Sequence, residues 1–193
     1  MKAMRGAEMS DTDLAGDRAV AAAVAGGDRA AFRRFVETHQ HGVIGMLRRL
    51  LHDVAAAEDV AQEGFLRVFR VMKNRSSWRE TPRWKSLLYT AAANLARNEL
   101  RRRQAAAASP ALPAAGEDPL ERAAQAELQR QLQRALETLD AEERLVVLLR
   151  DGHEVAMQDI AATLETSERS VRRLLQTARE KLQRRLKPLA GEE

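Results

Sequence analysis

One segment limits the fold of this 193-residue chain more than any other. Gln104–Pro119 reads QAAAASPALPAAGEDP and holds three of the five prolines, Pro110, Pro113 and Pro119. A proline inside a helix removes a backbone donor and clashes with the carbonyl four residues back, so no helix passes through that spacing. The flanking sequence is dominated by Ala, Leu, Arg and Glu, which favour helix, and no two-residue alternation persists. The expected architecture is all-α: two small helical domains joined by a flexible linker, the second with a helix–turn–helix. The boundaries read as a flexible N-terminus over 1–16, a first domain over 17–103, a linker over 104–119, a second domain over 120–187 and a tail over 188–193.

Composition removes several function classes. The chain has no cysteine, so a disulfide scaffold, a zinc-thiolate site and a cysteine nucleophile are excluded. Aromatic residues are 4% of the total, too few for an aromatic-cored β-sandwich or barrel. No apolar run reaches the roughly 18 residues of a spanning helix, and no signal peptide stands out; a cytoplasmic protein without membrane insertion is expected. His39-x-His41 lacks a third ligand at helical spacing, and His52 and His153 stand apart, so the four histidines read as solvated or capping groups. Glu58, Asp59 and Glu63 read as a solvated helix face, since a catalytic carboxylate needs a pocket that shifts its pKa. No phosphate-cradling glycine loop is present. The expectation is a non-enzyme with no cofactor and no metal.

The net charge of +4 is distributed in blocks. Residues 74–104 hold eight basic residues against two acidic ones, and 167–193 hold eight against four, while 105–166 hold five against twelve. Two basic surfaces separated by an acidic stretch suggest two contacts with one polyanion, such as nucleic acid.

Helical periodicity places the elements. Ala30–Glu37 and Gly42–Leu51 read as two short helices, and Asp53 as the N-cap of a longer one reaching about Lys73. Asn74–Pro82 reads as a loop, with Pro82 opening a helix to about Arg103. On that helix Trp84, Leu88, Ala91, Ala92 and Leu95 share one side. Ser86, Thr90, Asn94, Arg97 and Arg101 form a stripe nearly opposite, free of acids, with the donors that phosphates and base edges take. Asp159–Leu164 and Ser167–Leu182 pattern as a helix–turn–helix, with Ser167 as cap and Arg169, Arg172, Arg173 and Gln176 outward, as on a recognition helix.

These pieces resemble the extracytoplasmic-function (ECF) sigma factors of bacterial RNA polymerase. Four stretches carry the resemblance: GGDRAAFRRFVETHQHGV (26–43), AEDVAQEGFLRVFR (57–70), WRETPRWKSLLYTAAANLARNELRRR (78–103), and LETLDAEERLVVLLR with DIAATLETSERSVRRLLQTAREKL (136–150 and 159–182). The resemblance implies promoter recognition, −10 melting and transcription initiation. Asp59, Gln62, Glu63 and Phe65, at the family's D-x-x-Q-E-x-F positions, would dock on the β′ clamp of core RNA polymerase. Arg75, Ser76, Trp78 and Arg79 would receive a flipped −10 base, and Asn94, Arg97, Arg101 and Arg102 would hold strand and phosphates. Ser167, Arg169, Arg172, Arg173 and Gln176 would read the −35 element, beside the polymerase β flap. Partners implied are core polymerase, promoter DNA and an anti-sigma factor.

Four positions depart from the family pattern. Leu139-Asp140 replaces a Leu-Pro, and Ala156 stands where a Ser or Thr usually caps. Glu165 stands at a turn that commonly holds Gly, which tolerates positive φ more cheaply. Leu174 replaces a frequent Arg. A stand-alone helix–turn–helix regulator, binding DNA as a dimer, is the alternative reading; a helical adaptor is a third.

Overall fold

The computed structural model describes residues 11–74, 83–106 and 122–186. The first half contains α1 (Asp11–Ala25), α2 (Arg29–Leu51), α3 (Val54–Lys73) and α4 (Trp84–Ala106). The second contains α5 (Arg122–Glu137), α6 (Ala141–Val147), α7 (Met157–Thr163) and α8 (Glu168–Leu186). No strand occurs among the described residues, in line with the all-α expectation. α1 begins inside the stretch read as an N-terminal extension.

The two short helices expected over Ala30–Glu37 and Gly42–Leu51 are one helix, α2. No proline interrupts this span, and Gly42 costs the helix only a modest penalty. Its hydrogen side chain serves packing instead: a Cβ there would collide with the Tyr89 hydroxyl. Asp28 opens α2, accepting hydrogen bonds from the Ala30 and Ala31 amides at 2.8 and 3.1 Å. His52 closes it in the left-handed region (φ 53°), and Asp53 caps α3 through the Ala56 amide at 3.1 Å.

Apolar faces of α2, α3 and α4 bury Val43, Met46, Leu47, Val68, Met72, Trp84 and Leu88. All four phenylalanines collect between α2 and α3: Phe32 lies 4.8 Å from Phe69 and Phe35 6.4 Å from Phe65, centroid to centroid. Gly64 of α3 faces Ala92 of α4.

In the second half, Leu136, Leu145, Leu149, Ile160 and Val171 form the interior. Glu143 bonds back to the Asp140 amide at 3.0 Å, so Asp140 begins the helix without the family's proline. α6 runs into a five-residue π-helical turn, Leu148–Gly152, which delivers His153 toward the first half. The two halves share one core, with α4 packed on α7 and α2 reaching α6.

Candidate nucleic-acid and partner interfaces

α3 presents Asp59, Gln62, Glu63, Leu66 and Arg70 along one face, at helical spacings of three and four. Asp59, Gln62 and Arg70 are exposed, and Glu63 is half-buried. Arg67 binds the Glu63 carboxylate at 3.0 Å and Arg70 approaches it at 3.6 Å. Phe65, expected to supply apolar area to a partner, points into the phenylalanine cluster and is only 7% exposed. The apolar group on the outward face is Leu66, 41% exposed. Sequence reading passed over it; its position three and four residues after Glu63 and Gln62, on the polar face, was the signal.

α4 carries the polar stripe, but most of it faces protein here. Ser86 is 5% exposed. Thr90 turns its hydroxyl to the Leu87 carbonyl at 3.2 Å. Asn94 is half-buried. Arg97 donates to the Thr163 carbonyl at the end of α7, at 2.6 Å. Arg101 and Arg102 are exposed beyond this contact, Arg101 on Asn98 at 2.9 Å and Arg102 on Glu99 at 2.8 Å. Arg103 turns inward to Asp53 (2.9 Å) and Glu99 (2.8 Å), tying α4 to the cap of α3. The Arg103 hydrogen bond, then that of Arg102, holds the Glu99 carboxyl below its usual range. Arg75, Ser76, Trp78 and Arg79 lie outside the described residues.

α7 and α8 form the helix–turn–helix. The turn has a residue in the left-handed region, Glu165 at φ 54°. The Thr166 amide bonds the Ala161 carbonyl at 3.0 Å and the Glu165 amide the Ala162 carbonyl at 3.3 Å, a Schellman closure built without glycine. Ala156 opens α7 with no side-chain cap. Ser167 accepts the Ser170 amide at 3.2 Å, as its reading as a cap requires. α8 buries Val171, Leu175 and Ala178, which leaves Arg169, Arg172, Arg173 and Gln176 exposed on the other side. Arg172 pairs with Glu168 at 3.1 Å and Gln176 with Glu180 at 3.1 Å. Arg179 binds Asp151 at 2.9 Å, anchoring α8 to the π-helical turn, and that hydrogen bond raises the pKa of its guanidinium.

No described helix is long and apolar enough to cross a membrane, and no group of metal-ligating side chains converges among the described residues.

Comparison with known proteins agrees with this geometry. Residues 35–106 match the family model of sigma-70 region 2, and 129–182 that of sigma-70 region 4. The chain is 27% identical over 179 residues to the RNA polymerase sigma-H factor of Pseudomonas aeruginosa, covering 86% of this chain and 91% of that one. It is 31% identical over 163 residues to a probable RNA polymerase sigma factor, RfaY, of Xanthomonas campestris, covering 80% of this chain and 40% of that protein. Among solved structures, CnrH bound to the cytosolic domain of CnrY superposes with a TM-score of 0.65 at 25% identity, covering 90% of this chain and 98% of that one. The sigma factor RpoE of Bartonella quintana, bound to the anti-sigma factor NepR, has the same fold, with a TM-score of 0.66 at 19% identity over 81% of this chain and 96% of that one. With region 2 built from α2–α4, region 4 from α5–α8, and sigma factors as its relatives, the chain belongs to the RNA polymerase sigma factors of the extracytoplasmic-function type.

Proposed function

We propose that three surfaces divide the work of this sigma factor. The outward face of α3 (Asp59, Gln62, Glu63 and Leu66) docks on the β′ clamp of core polymerase, its acids meeting a basic partner and Leu66 contributing the apolar area. Asn94, Arg97, Arg101 and Arg102 on α4, with Arg75, Ser76, Trp78 and Arg79 before it, hold the melted −10 strand. Ser167, Arg169, Arg172, Arg173 and Gln176 on α8 enter the −35 major groove, next to the β flap. The chain acts in the cytoplasm, alongside its polymerase, as a regulatory subunit rather than a catalyst. An anti-sigma factor is proposed as its regulator, since two relatives of this fold were solved with such partner chains or a cytosolic domain.

The observation that carries the reading is α8. It buries Val171, Leu175 and Ala178, and its four outward polar residues stand on the first turns of the second helix of the motif, where recognition helices contact base edges. The test is a gel shift on a mapped promoter with and without core polymerase. Tight, site-specific binding only with core is expected; equally tight binding by the free chain as a dimer would favour a stand-alone regulator.

A further inference from the structure

The two halves meet on a polar seam that carries one histidine from each side. His52, at the end of α2, lies against the second half. Arg144 Nη1 is 2.9 Å from its Nε2, and Gln133 Nε2 is 3.0 Å from its Nδ1. A guanidinium only donates, so Nε2 must be the bare acceptor nitrogen. Nδ1 then carries the ring proton, and the Gln133 amide nitrogen beside it also reaches the Glu137 carboxylate at 3.5 Å. Glu137 is 3.9 Å from Nδ1; the adjacent Asp53 is engaged by Arg103 at 2.9 Å.

His153 comes from the other side. Its ring stacks on Tyr89 of α4, centroids 4.2 Å apart and planes 25° from parallel, beside Gly42 of α2. The charges facing it are Lys85 of α4 and Arg49 of α2, with Lys85 held 3.5 Å from Glu154. The Arg97–Thr163 bond also joins the two halves.

We propose that this seam is a proton-sensitive latch: while both rings are neutral, the second half stays closed over the α4 stripe, and protonation of His52 and His153 releases it. A second proton on His52 would set an N–H against an Arg144 N–H at the present separation. A proton on His153 would add a third positive charge beside Lys85 and Arg49. Burial first, then the neighbouring cations, lowers both rings below the ordinary 6.5, His153 to about 4; Glu137 acts in the opposite sense on His52. The sign follows. A lowered histidine stabilises the closed form in full above 6.5 and loses that contribution as pH falls toward the closed-form value. For His153 alone the ratio of closed to open form drops roughly tenfold by pH 5.5. The latch regulates the −10 surface and so rests on the reading of α4 as a DNA-holding helix: Arg97 cannot grip a strand while it grips Thr163.

The chain has no cysteine, so Arg33→Cys and Arg184→Cys place one dye on an exposed site of each half. Energy transfer in the free full-length chain is read from pH 7.5 to 5.5, with far-UV circular dichroism alongside. Transfer should fall with acid while helicity stays constant. In the His52→Gln, His153→Phe double variant, which keeps an acceptor for Arg144 and a ring on Tyr89, transfer should stay flat. No fall, a fall shared by the double variant, or a fall that accompanies helix loss would each overturn the latch. Holoenzyme assembly and promoter binding by the unlabelled chain at pH 7.5 test the sigma reading separately; failure there leaves the dye response unchanged, and failure of the dye response leaves promoter binding unchanged.

Discussion

Lys181 Nζ on α8 sits 2.8 and 2.7 Å from the two carboxylate oxygens of Glu143, which is itself 3% exposed at the start of α6. One carboxylate thus closes the first turn of α6 through the Asp140 amide and binds α6 to the recognition helix. The Glu143 hydrogen bond, the largest cause, raises the Lys181 ammonium above its ordinary 10.5. A raised lysine contributes its stability in full below 10.5 and loses it as pH climbs through the raised value. Thermal melts of the wild type should therefore be insensitive to this pair from neutral pH to about 10 and weaken above it. Glu143→Ala should lower the melting temperature throughout, with about 1 kcal/mol lost from the cap alone.

Gly42→Ala should destabilise, against the usual gain of about 0.5–1 kcal/mol for this change inside a helix. The new methyl meets the Tyr89 hydroxyl, and overpacking of that kind costs about 1–3 kcal/mol. In a Tyr89→Phe background the penalty should shrink or change sign. Urea denaturation of the four proteins in the cycle measures the coupling; additive effects would contradict the contact.

Two substitutions in the helix–turn–helix should stabilise it. Glu165→Gly removes a side chain from a left-handed residue (φ 54°), a gain of about 1 kcal/mol. Ala156→Ser supplies the missing cap of α7, worth about 1 kcal/mol. Both should raise the melting temperature and leave promoter choice unchanged.

Phe65 and Leu66 are neighbours in sequence with opposite fates. Phe65→Ala should cost about 3–5 kcal/mol of stability by emptying the phenylalanine cluster. Leu66→Ala should leave the melt within about 0.5 kcal/mol and weaken co-purification with core polymerase. Normal assembly of the Leu66 variant at wild-type stability would remove that residue from the docking face.

Arg169 and Arg173 have no ion-pair partner among the described residues, whereas Arg172 is shared with Glu168. Replacing Arg169 or Arg173 by Ala should weaken holoenzyme binding to a −35 element by about 1–3 kcal/mol if it reads a base edge. If it holds a phosphate, the slope of log affinity against log salt should fall by about one. Binding titrations at several salt concentrations, on matched and mismatched promoters, separate the two.

Much of the fold was legible because it rests on local rules. Asp53 and Ser167 cap where their side chains predicted. Glu165 shows the left-handed backbone that its place in the turn demanded. The error in α2 has a local cause too: the span was divided into two helices with the second opening at Gly42, whose absent side chain answers to Tyr89, 47 positions away in sequence. Phe65 fits a polymerase-binding motif by position, yet its direction is set by Phe35 on another helix.

The sequence by itself determined the class of the chain, the order of its helices, and which faces of α3 and α8 carry charge, because periodicity and capping are short-range properties. Only the tertiary structure decided what those faces meet. Arg97 lies on a polar stripe in either case; that it ends on the Thr163 carbonyl depends on how two domains, 66 residues apart at that bond, come together. His52 and His153 looked like unremarkable polar residues, because a histidine takes its role from its neighbours. Arg144, Gln133, Tyr89 and Lys85 become those neighbours only when the two halves close on each other.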